Sequence, residues 1–281
     1  MKQTTISAGL IGYGIQASRT PRLHEQEGRE QGLNYTYQLL DLQTMGVAVS
    51  ALPRLLDEAQ AQGFAGLNIT HPCKQVVLPL LDELAPEAAA IGAVNTVVFT
   101  NGRRIGHNTD WWGFAESFKR GLPDVLRDQV VLIGAGGAGS ALAYAAFQLG
   151  VQRLAIYDVD HDRAAQLAAR CNEQLANDFA APVTDLASTI ATADGLMQAT
   201  PIGMNNHPGM PVPADFLHSE LWVSEVIYTP LETELLRHAK SLGCRLLNGT
   251  GMTVFQAVKT FHLFTGLQAD PERLLRHFAA L

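Results

Sequence analysis

The chain has 281 residues, of which 47% are hydrophobic and 17% charged, with 20 Lys and Arg against 27 Asp and Glu for a formal net charge of −7. This length fits two domains or one large α/β domain and excludes a disulfide-stapled mini-fold, while the apolar content excludes disorder. Acidic residues outnumber basic ones in both halves of the chain, so a nucleic-acid partner is excluded as well.

Strand and helix signals alternate through the first part of the chain, which is the pattern of a parallel or mixed α/β sheet. Strands are predicted at residues 6–12, 35–40 and 66–70, helices at 18–31 and 52–62, and a further helix after His71-Pro72. Residues 97–99 and 104–106 form a predicted hairpin, because Asn101-Gly102 favours a two-residue turn. Another helix is predicted from Asp110 to residue 120.

The alternation continues after Gly121-Leu122-Pro123, which we interpret as the crossing between two domains. Strands are predicted at 130–133, 154–157, near 182–183, 195–197, 221–227 and 245–246, and helices at 140–149, 163–175, 233–242, 253–264 and 271–278. The strand at 130–133 is apolar throughout, as expected of a strand buried on both faces of a parallel sheet. We expect the last helices to pack on the first domain.

Membrane, metal and disulfide chemistry are not indicated. Residues 129–152 carry no formal charge, but the glycines within 134–139 break this stretch into a strand, a turn and a helix. The 3 cysteines form no CxxC pair and the 9 histidines no HxH or HExxH cluster, so we expect reduced thiols and no metal site. Residues 1–11 lack the apolar core of a signal peptide, which favours a cytoplasmic protein.

A glycine-rich turn gives the first functional signal. Gly134, Gly136 and Gly139 match G-x-G-x-x-G between the strand at 130–133 and a helix. The first glycine of such a turn permits the tight bend, the second lets a pyrophosphate approach the backbone, and the third lets helix and strand pack closely. The next predicted strand ends in Asp158, where a carboxylate accepts hydrogen bonds from the adenosine ribose. The pattern predicts a dinucleotide site.

Asp158 also bears on the choice of dinucleotide. Its carboxylate would face the 2′-phosphate of NADP with like charge, and Val159 and Asp160 follow without an arginine to offset it. We therefore expect NAD as the cofactor and NADP to be disfavoured.

Hydride transfer to a nicotinamide also needs a group that handles the proton of the substrate hydroxyl. None of the 6 tyrosines stands in a Y-x-x-x-K motif, which excludes the arrangement of short-chain dehydrogenases. Lys74 lies just after a predicted strand end, where open α/β sheets place their ligands. Position alone leaves two interpretations, a solvated surface lysine and a catalytic lysine.

Eight short motifs follow one another along nearly the whole chain. They are Ser18-Arg19-Thr20-Pro21, residues 68–74, residues 92–96, residues 106–110, the glycine turn, residues 199–204, residues 228–233, and Gly251-Met252 ahead of Gln256. Together they resemble the shikimate dehydrogenase family, most closely its NAD-using quinate/shikimate dehydrogenase branch. The resemblance implies a two-domain α/β fold, with an N-terminal substrate-binding domain over residues 1–115 and 250–281. A Rossmann-like NAD(P)-binding domain over 116–249 is implied beside it, with the substrate cleft between the two.

The resemblance also implies roles for single residues. Lys74 is similar to the family's catalytic lysine and Asp110 to its partner carboxylate, and both proton abstraction and orientation of the hydroxyl stay open for Lys74. Ser18 and Thr20, with Tyr228 as a third donor, are expected to receive the substrate carboxylate, the alternative being helix capping. Ring hydroxyls are expected to contact Thr70, Lys74, Asn95, Asp110 and Gln256. The implied cofactor contacts are Gly134, Gly136, Gly137, Ala138, Gly139, Asp158, Thr200, Pro201, Gly203, Met204 and Gly249. For Asn95 and Asn108 the alternative is that they only brace turns.

The implied activity is NAD-dependent interconversion of shikimate and 3-dehydroshikimate, with quinate and 3-dehydroquinate as a second pair. Departures from the family pattern at Cys73, at Glu225 and over residues 249–253 keep an aminoshikimate-type dehydrogenase as an alternative. A catalytically weak NAD-binding ligand sensor is another alternative, against which the intact Lys74 and Asp110 weigh. We expect a small-molecule substrate, no nucleic-acid or membrane partner, and a monomer or homodimer.

Overall fold

A computed structural model describes residues 4–176 and 178–281 of the chain. Residues 1–3, where the segment without a signal-peptide pattern begins, lie outside the described residues. The chain divides into two compact units, the first ending at Thr109 and resuming over Val254–Leu281, the second comprising Asp110–Thr253. The assignment of substrate and dinucleotide binding to residues 1–115 with 250–281 and to 116–249 stays a prediction.

The first unit contains a mixed six-stranded sheet. Its strands are β1 (Thr5–Gly12), β2 (Asn34–Asp41), β3 (Gly66–Ile69), β4 (Glu83–Leu84), β5 (Thr96–Thr100) and β6 (Arg103–His107), in the order β2-β1-β3-β5-β6-β4. Its helices before Thr109 are α1 (Thr20–Glu30), α2 (Leu52–Ala61), α3 (Cys73–Val76) and α4 (Pro86–Ile91). Strands β2, β1 and β3 run parallel, and β5 is antiparallel to both β3 and β6.

This pairing brings several loops to one edge of the first sheet. Gly12 pairs with Asp41 and Ile11 with Ile69, so the three parallel strands end together. Because β5 runs the other way, its first residue, Thr96, lies at the same edge, opposite His107 at the end of β6. The predicted hairpin turn is confirmed, since Asn101 and Gly102 both have positive φ, 50° and 75°.

The second unit contains a fully parallel six-stranded sheet. Its elements are α5 (Asp110–Gly121), β7 (Gln129–Ile133), α6 (Gly137–Gln148), β8 (Arg153–Tyr157), α7 (His161–Gln174), β9 (Ala180–Pro182), α8 (Leu186–Ile190), β10 (Gly195–Gln198), β11 (Trp222–Glu225), α9 (Glu234–Ser241) and β12 (Arg245–Leu247). Two further helices, α10 (Thr250–Thr265) and α11 (Pro271–Ala279), complete the chain. The strand order is β12-β11-β10-β7-β8-β9. The direction of winding reverses at β7, where β8 lies on one side and β10 on the other, and such a reversal point is where open α/β sheets bind ligands.

Alternating side chains of β7 show that its sheet is covered on both faces, as the apolar run predicts. Val130 and Leu132 belong to the core that contains α5 and α6 residues such as Phe118. Val131 and Ile133 belong to the opposite core, which includes residues of α8 and α9. The first unit has a separate core built on β1, α2 and β3.

The last helix packs on the first unit through α1. Arg273 of α11 donates from Nε and Nη2 to the carboxylate of Glu27, which is 0% exposed, at 2.8 and 2.6 Å. Gln31 and the backbone N–H of Asp270 donate to the same carboxylate. The chain therefore returns to its first unit at the C-terminal end.

Most predicted elements are present with bounds shifted by a few residues, and three short ones, α4, α8 and β4, were missed. Helices α4 and α8 have 6 and 5 residues and β4 has 2, too few to show a periodic apolar pattern. Helix α6 begins at Gly137, earlier than the predicted residue 140, because its first turn is made by the glycines themselves. The described residues include no helix long and apolar enough to cross a membrane.

Candidate active site

The glycine turn joins β7 to α6, and its first and third glycines are required by the protein itself. Gly134 has φ +99°, and a Cβ there would lie 2.9 Å from Cγ2 of Thr200. A Cβ on Gly139 would overlap the carbonyl oxygen of Gly134. Both positions therefore exclude any side chain, the first through its backbone conformation and the third through close approach of helix and strand.

Gly136 differs from these two because nothing in the protein requires a glycine there. Its backbone is extended, with φ −80° and ψ −166°, and a Cβ would meet no atom within 4 Å. Gly137 and Ala138 follow it in the first turn of α6, whose N–H groups have no partner inside the helix. Open space above an N-terminal turn fits the close approach of a dinucleotide pyrophosphate, the role predicted for the second glycine.

Asp158 lies beside this turn. Its Oδ2 accepts the N–H of Ala135 at 2.7 Å, and its Oδ1 accepts the N–H of Asp160 at 2.9 Å. Each oxygen keeps a second lone pair, so the carboxylate retains capacity to accept hydroxyl protons. The next residue, Val159, is 87% exposed. Asp158 is thus fixed beside the glycine turn, and its contact with the ribose stays a prediction.

The loop after β10 lies on the other side of the glycine turn. Thr200 approaches Gly134, and the Thr200 hydroxyl accepts the N–H of Ile202 at 3.2 Å. Gly203 has φ +112°. Side chains at Ile202 and Met204 are each 37% exposed. The predicted cofactor contacts Thr200, Pro201, Gly203 and Met204 therefore lie in the loop at the carboxyl end of the neighbouring strand, and Thr200 adjoins the turn.

Tyr228 and Gly249 follow β11 and β12 at the same edge. The N–H of Gly249 donates to the carbonyl of Ile227 at 3.0 Å, next to Tyr228. A Cβ on Gly249 would overlap the Val226 carbonyl, so the close approach of these two loops requires a glycine. Tyr228 is half-buried.

At the corresponding edge of the first unit, the loop after β1 carries Ser18 and Thr20. The hydroxyl of Ser18 accepts the N–H of Thr20 at 3.3 Å, while α1 has Arg19 at its N-cap and no side-chain cap. Among the described residues the hydroxyls of Thr20 and Thr70 have no hydrogen-bond partner. Helix capping therefore does not account for Thr20, and both hydroxyls are available to a ligand.

Asp41 holds this loop in place. Its carboxylate accepts the N–H groups of Gly14, Ile15 and Gln43 at 2.8, 3.2 and 3.0 Å, and the Gln16 side chain at 3.0 Å. Burial alone would raise the pKa of Asp41, but these hydrogen bonds together hold the pKa below its ordinary value. No role for Asp41 was predicted, because all of these partners except Gln43 are 25 or more positions away along the chain.

Asn95 belongs to a buried polar network. Its Oδ1 accepts the N–H of Thr109 at 2.7 Å, and its Nδ2 donates to the Thr109 hydroxyl at 2.9 Å. The same hydroxyl lies 3.5 Å from Oε1 of Gln256 in α10. Asn68 donates from Nδ2 to the carbonyl of Asn95 and to the hydroxyl of Thr96, at 3.2 and 3.0 Å. The structure thus brings the predicted contacts Asn95 and Gln256 together through Thr109, and bracing is a role that Asn95 does fill.

Asn108 braces the turn between α4 and β5, the alternative role given above: its Nδ2 donates to the carbonyl of Ala93 at 2.9 Å.

Lys74 lies in α3 at this edge, half-buried, and its carbonyl accepts the N–H of Val94 at 2.8 Å. The preceding Cys73 is fully buried, and burial raises the pKa of its thiol to about 11, so this departure from the family pattern is a packing residue. Asp110 is the first residue of α5 and 6% exposed. The pairing of Lys74 with Asp110 stays a prediction.

These two edges define the class of protein, an α/β oxidoreductase that combines a Rossmann-like dinucleotide unit with a separate substrate unit. Family models described as "Shikimate dehydrogenase substrate binding domain" and "Shikimate / quinate 5-dehydrogenase" match residues 10–97 and 116–203. The chain belongs to the shikimate dehydrogenase family. Its activity is that of a shikimate/quinate dehydrogenase, for which the relatives use NAD or NADP.

Individual relatives match the whole chain. A shikimate dehydrogenase (NADP(+)) from Streptomyces avermitilis is 52% identical over 283 residues, covering 100% of this chain and 97% of the relative. A quinate/shikimate dehydrogenase (NAD(+)) from Corynebacterium efficiens is 46% identical over 284 residues and covers 100% of both chains. The structure of quinate dehydrogenase from Corynebacterium glutamicum in complex with NAD is similar with a TM-score of 0.92 and 46% identity, covering 99% of this chain and 100% of that one.

Proposed function

We propose that this protein oxidises shikimate with NAD as its preferred cofactor, and that quinate is a second substrate. The observation that carries the cofactor choice is Asp158, whose carboxylate is fixed 2.7 Å from the N–H of Ala135 in the glycine turn. The relatives include enzymes named for either cofactor, so the choice depends on this chain's own residues.

The negative charge of the Asp158 carboxylate supports NAD as the preferred cofactor. Asp160 pairs with Arg163 at 3.3 Å, so the charge beside the exposed Val159 that has no Lys or Arg partner among the described residues is that of Asp158. A 2′-phosphate in place of the ribose hydroxyl would add negative charge next to a carboxylate and remove a hydroxyl donor. NADP binding therefore costs both a repulsion and a hydrogen bond.

The substrate carboxylate is proposed to bind Ser18 and Thr20, with Tyr228 as a third hydroxyl donor. Support comes from the loop after β1, which Asp41 fixes, and from the Thr20 hydroxyl, which has no partner among the described residues. Hydroxyl donors suit a carboxylate without bringing a cation into the site. The same argument supports Thr70 as a contact for a ring hydroxyl, and Asn95 and Gln256 are proposed to complete that set.

Lys74 is proposed to act on the hydroxyl that reacts, with Asp110 as its partner carboxylate. The bound nicotinamide supplies the acceptor for the hydride that leaves the substrate carbon. Lys74 receives or orients the hydroxyl proton as the carbonyl forms, and Asp110 holds the Lys74 ammonium in place. The position of Lys74 one turn after β3, at the edge that also carries Thr70, supports this role.

A substrate panel with NAD tests the proposal. We expect initial rates of NADH formation with shikimate and quinate, and none or far less with an aminoshikimate-type substrate. Turnover chiefly of the amino compound would favour the paralogous dehydrogenase. Binding of NAD without turnover of any of the three would instead identify a ligand sensor and contradict the proposal.

The proposal also covers the cellular location and the oligomeric state of the protein. Cys73, Cys171 and Cys244 are free and buried, as is usual for proteins of a reducing compartment, which supports the cytoplasm. We propose a monomer or homodimer, which sedimentation of the purified protein distinguishes from larger assemblies. Biosynthesis of aromatic amino acids through chorismate is the proposed pathway.

A further inference from the structure

Three buried polar side chains lie behind the loop that follows β10, and the sequence singled out none of them as functional. Gln198, Glu225 and Thr233 are 0%, 1% and 1% exposed. Gln198 ends β10, Glu225 ends the neighbouring strand β11, and the two residues are partners in the strand register. Thr233 is the N-cap of α9. We call these three residues the loop anchor.

The side-chain amide of Gln198 forms hydrogen bonds with the backbone of this loop. Its Oε1 accepts the N–H of Thr200, and its Nε2 lies 3.1 Å from the carbonyl of Thr200 and 2.8 Å from that of Ile202. One amide side chain therefore pairs with three backbone groups of a five-residue loop. Together with the bond from the N–H of Ile202 to the Thr200 hydroxyl, these bonds hold the backbone of residues 200–202.

Glu225 in turn fixes Gln198. Its Oε1 accepts from Nε2 of Gln198 at 3.2 Å, and its Oε2 accepts the hydroxyl of Thr233. Among the described residues no Lys, Arg or His pairs with Glu225. A carboxyl group that is buried without a cation is costly to retain for packing alone. Burial raises the pKa of Glu225, and the bonds from Thr233 and Gln198 oppose that rise.

The anchor also contacts the point at which the loop turns. Gly203 has φ +112°, and a Cβ there would lie 3.4 Å from Oε1 of Glu225 and 3.3 Å from Cγ2 of Thr233. The loop backbone thus rests directly on the anchor, which leaves the opposite side of Gly203 and the half-exposed Met204 for a ligand.

The position of the loop indicates which part of the dinucleotide it meets. Asp158, on the β8 side of the glycine turn, marks the adenosine end, and the pyrophosphate lies over α6. A dinucleotide that continues across the turn reaches the β10 side, where Thr200 adjoins Gly134. The loop therefore faces the nicotinamide end.

We propose that Gln198 and Glu225 are positioning residues that set the conformation of loop 200–204 for the nicotinamide ring. This inference rests on the proposed NAD-dependent function. They do not touch the cofactor; they act through the backbone of Thr200, Ile202 and Gly203. Loss of the anchor then weakens recognition of the nicotinamide half and leaves the adenosine half unchanged.

The test compares binding of NADH with binding of ADP-ribose, which lacks the nicotinamide ring, by titration calorimetry. Glu225→Leu removes both acceptor oxygens at similar size, and we expect about tenfold weaker NADH binding with ADP-ribose affinity changed less than twofold. Gln198→Leu should give the same pattern. Glu225→Gln can keep its oxygen as the acceptor for Nε2 of Gln198 and turn its N–H₂ group to the Thr233 hydroxyl, which can accept, so it should restore most of the NADH affinity. In kinetics with shikimate, Glu225→Leu should raise KM for NAD and lower kcat.

Ser224→Ala is the matched control, because Ser224 lies on the same strand, is 0% exposed, and its hydroxyl has no partner among the described residues. We expect both affinities of this variant to equal the wild type. Equal weakening of NADH and ADP-ribose by Glu225→Leu, or unchanged NADH binding in both leucine variants, would overturn the inference. Failure of the wild-type protein to bind NADH at all would instead overturn the proposed function, so the two failures are distinct.

Discussion

At the carboxyl edge of the second unit's sheet the groups offered to a ligand are mostly backbone, whereas at the corresponding edge of the first unit they are side chains. The glycine turn presents N–H groups and open space at Gly136. The first unit presents the hydroxyls of Ser18, Thr20 and Thr70, and it also contains the buried network around Asn95. The proposed dinucleotide site therefore depends mainly on backbone conformation with one side chain, Asp158, whereas a polyol site needs several particular donors and acceptors.

The largest expected effect is at the edge of the first unit's sheet, where side chains are offered to the ligand. Lys74→Ala should lower kcat with shikimate by about 10²- to 10⁴-fold, the usual contribution of a positioned proton-transfer group, and change the Kd for NADH less than twofold. Steady-state rates and calorimetry measure the two quantities. Lys119→Ala, which removes a lysine that is 59% exposed on α5, is the control. Near-normal turnover of Lys74→Ala would exclude the catalytic role.

At the carboxyl edge of the second unit's sheet, two glycines of the glycine turn should respond differently to substitution by alanine. Gly139→Ala places a methyl group against the Gly134 carbonyl and should lower the free energy of unfolding by about 3 kcal/mol. Gly136→Ala meets open space, so its Tm should stay within about 1 °C of the wild type while NADH affinity falls about tenfold. Equal destabilisation of both variants would mean that Gly136 serves packing and not the ligand.

The ion pair between α1 and α11 should make the first unit acid-sensitive. Burial would raise the pKa of Glu27, but bonds from Arg273, Gln31 and the Asp270 backbone hold it below the ordinary 4.5. The stabilisation is therefore present above pH 4.5 and lost as the pH falls through the lowered pKa.

Arg273→Leu should cost about 2 kcal/mol at pH 7, because it leaves a buried carboxylate unpaired. Denaturant unfolding from pH 7 to pH 3 should show the difference from wild type shrinking as the pH falls. A difference that is the same at all pH values would contradict this account.

Removal of the charge at Asp158 tests how much this one side chain contributes to cofactor choice at the proposed dinucleotide site. Asp158→Asn keeps an oxygen acceptor for the Ala135 N–H and removes the carboxylate. The ratio of kcat/KM for NAD to that for NADP should fall about 10- to 100-fold. Asp162→Asn, on the exposed first turn of α7, is the control and should leave the ratio unchanged.

The smallest effect is expected at the base of the polar network. Tyr37 is buried and donates its hydroxyl to Oδ1 of Asn68 at 2.7 Å. Tyr37→Phe leaves that oxygen unpaired and should lower the free energy of unfolding by about 1–2 kcal/mol. Tyr13→Phe, at a side chain that is 55% exposed, should have no measurable effect. Equal stability of both variants would show that the network does not depend on Tyr37.

The contrast between the edges also explains what the sequence could reveal. The glycine turn and the place of Asp158 beside it were predictable from the residues themselves, because a tight turn and a close helix each demand glycine at a fixed spacing. The roles of Ser18, Thr20 and Asp110 came only from the family resemblance, which also decided between the two interpretations that position left open for Lys74. Long helices were found because their apolar periodicity is visible, and short strands such as β7 because they are continuous apolar runs, whereas α4, α8 and β4 show neither pattern.

Residues that support the site were missed because their partners are distant in the chain. Asp41 pairs with the loop at Gly14 across 27 positions, and Gln198 with Glu225 across 27. Asn68 lies inside a recognised motif, yet its bonds to Asn95 and Thr96 appear only once β3 and β5 are paired. A polar residue that ends an otherwise apolar strand, as Gln198 does, is the signal that would have indicated a supporting role.

The most direct test of the central claim is the ratio of kcat/KM for NAD to that for NADP in the wild-type protein, measured with shikimate at saturation. The geometry of Asp158 beside the glycine turn predicts a ratio of at least about ten in favour of NAD. Equal efficiencies, or a preference for NADP, would contradict it.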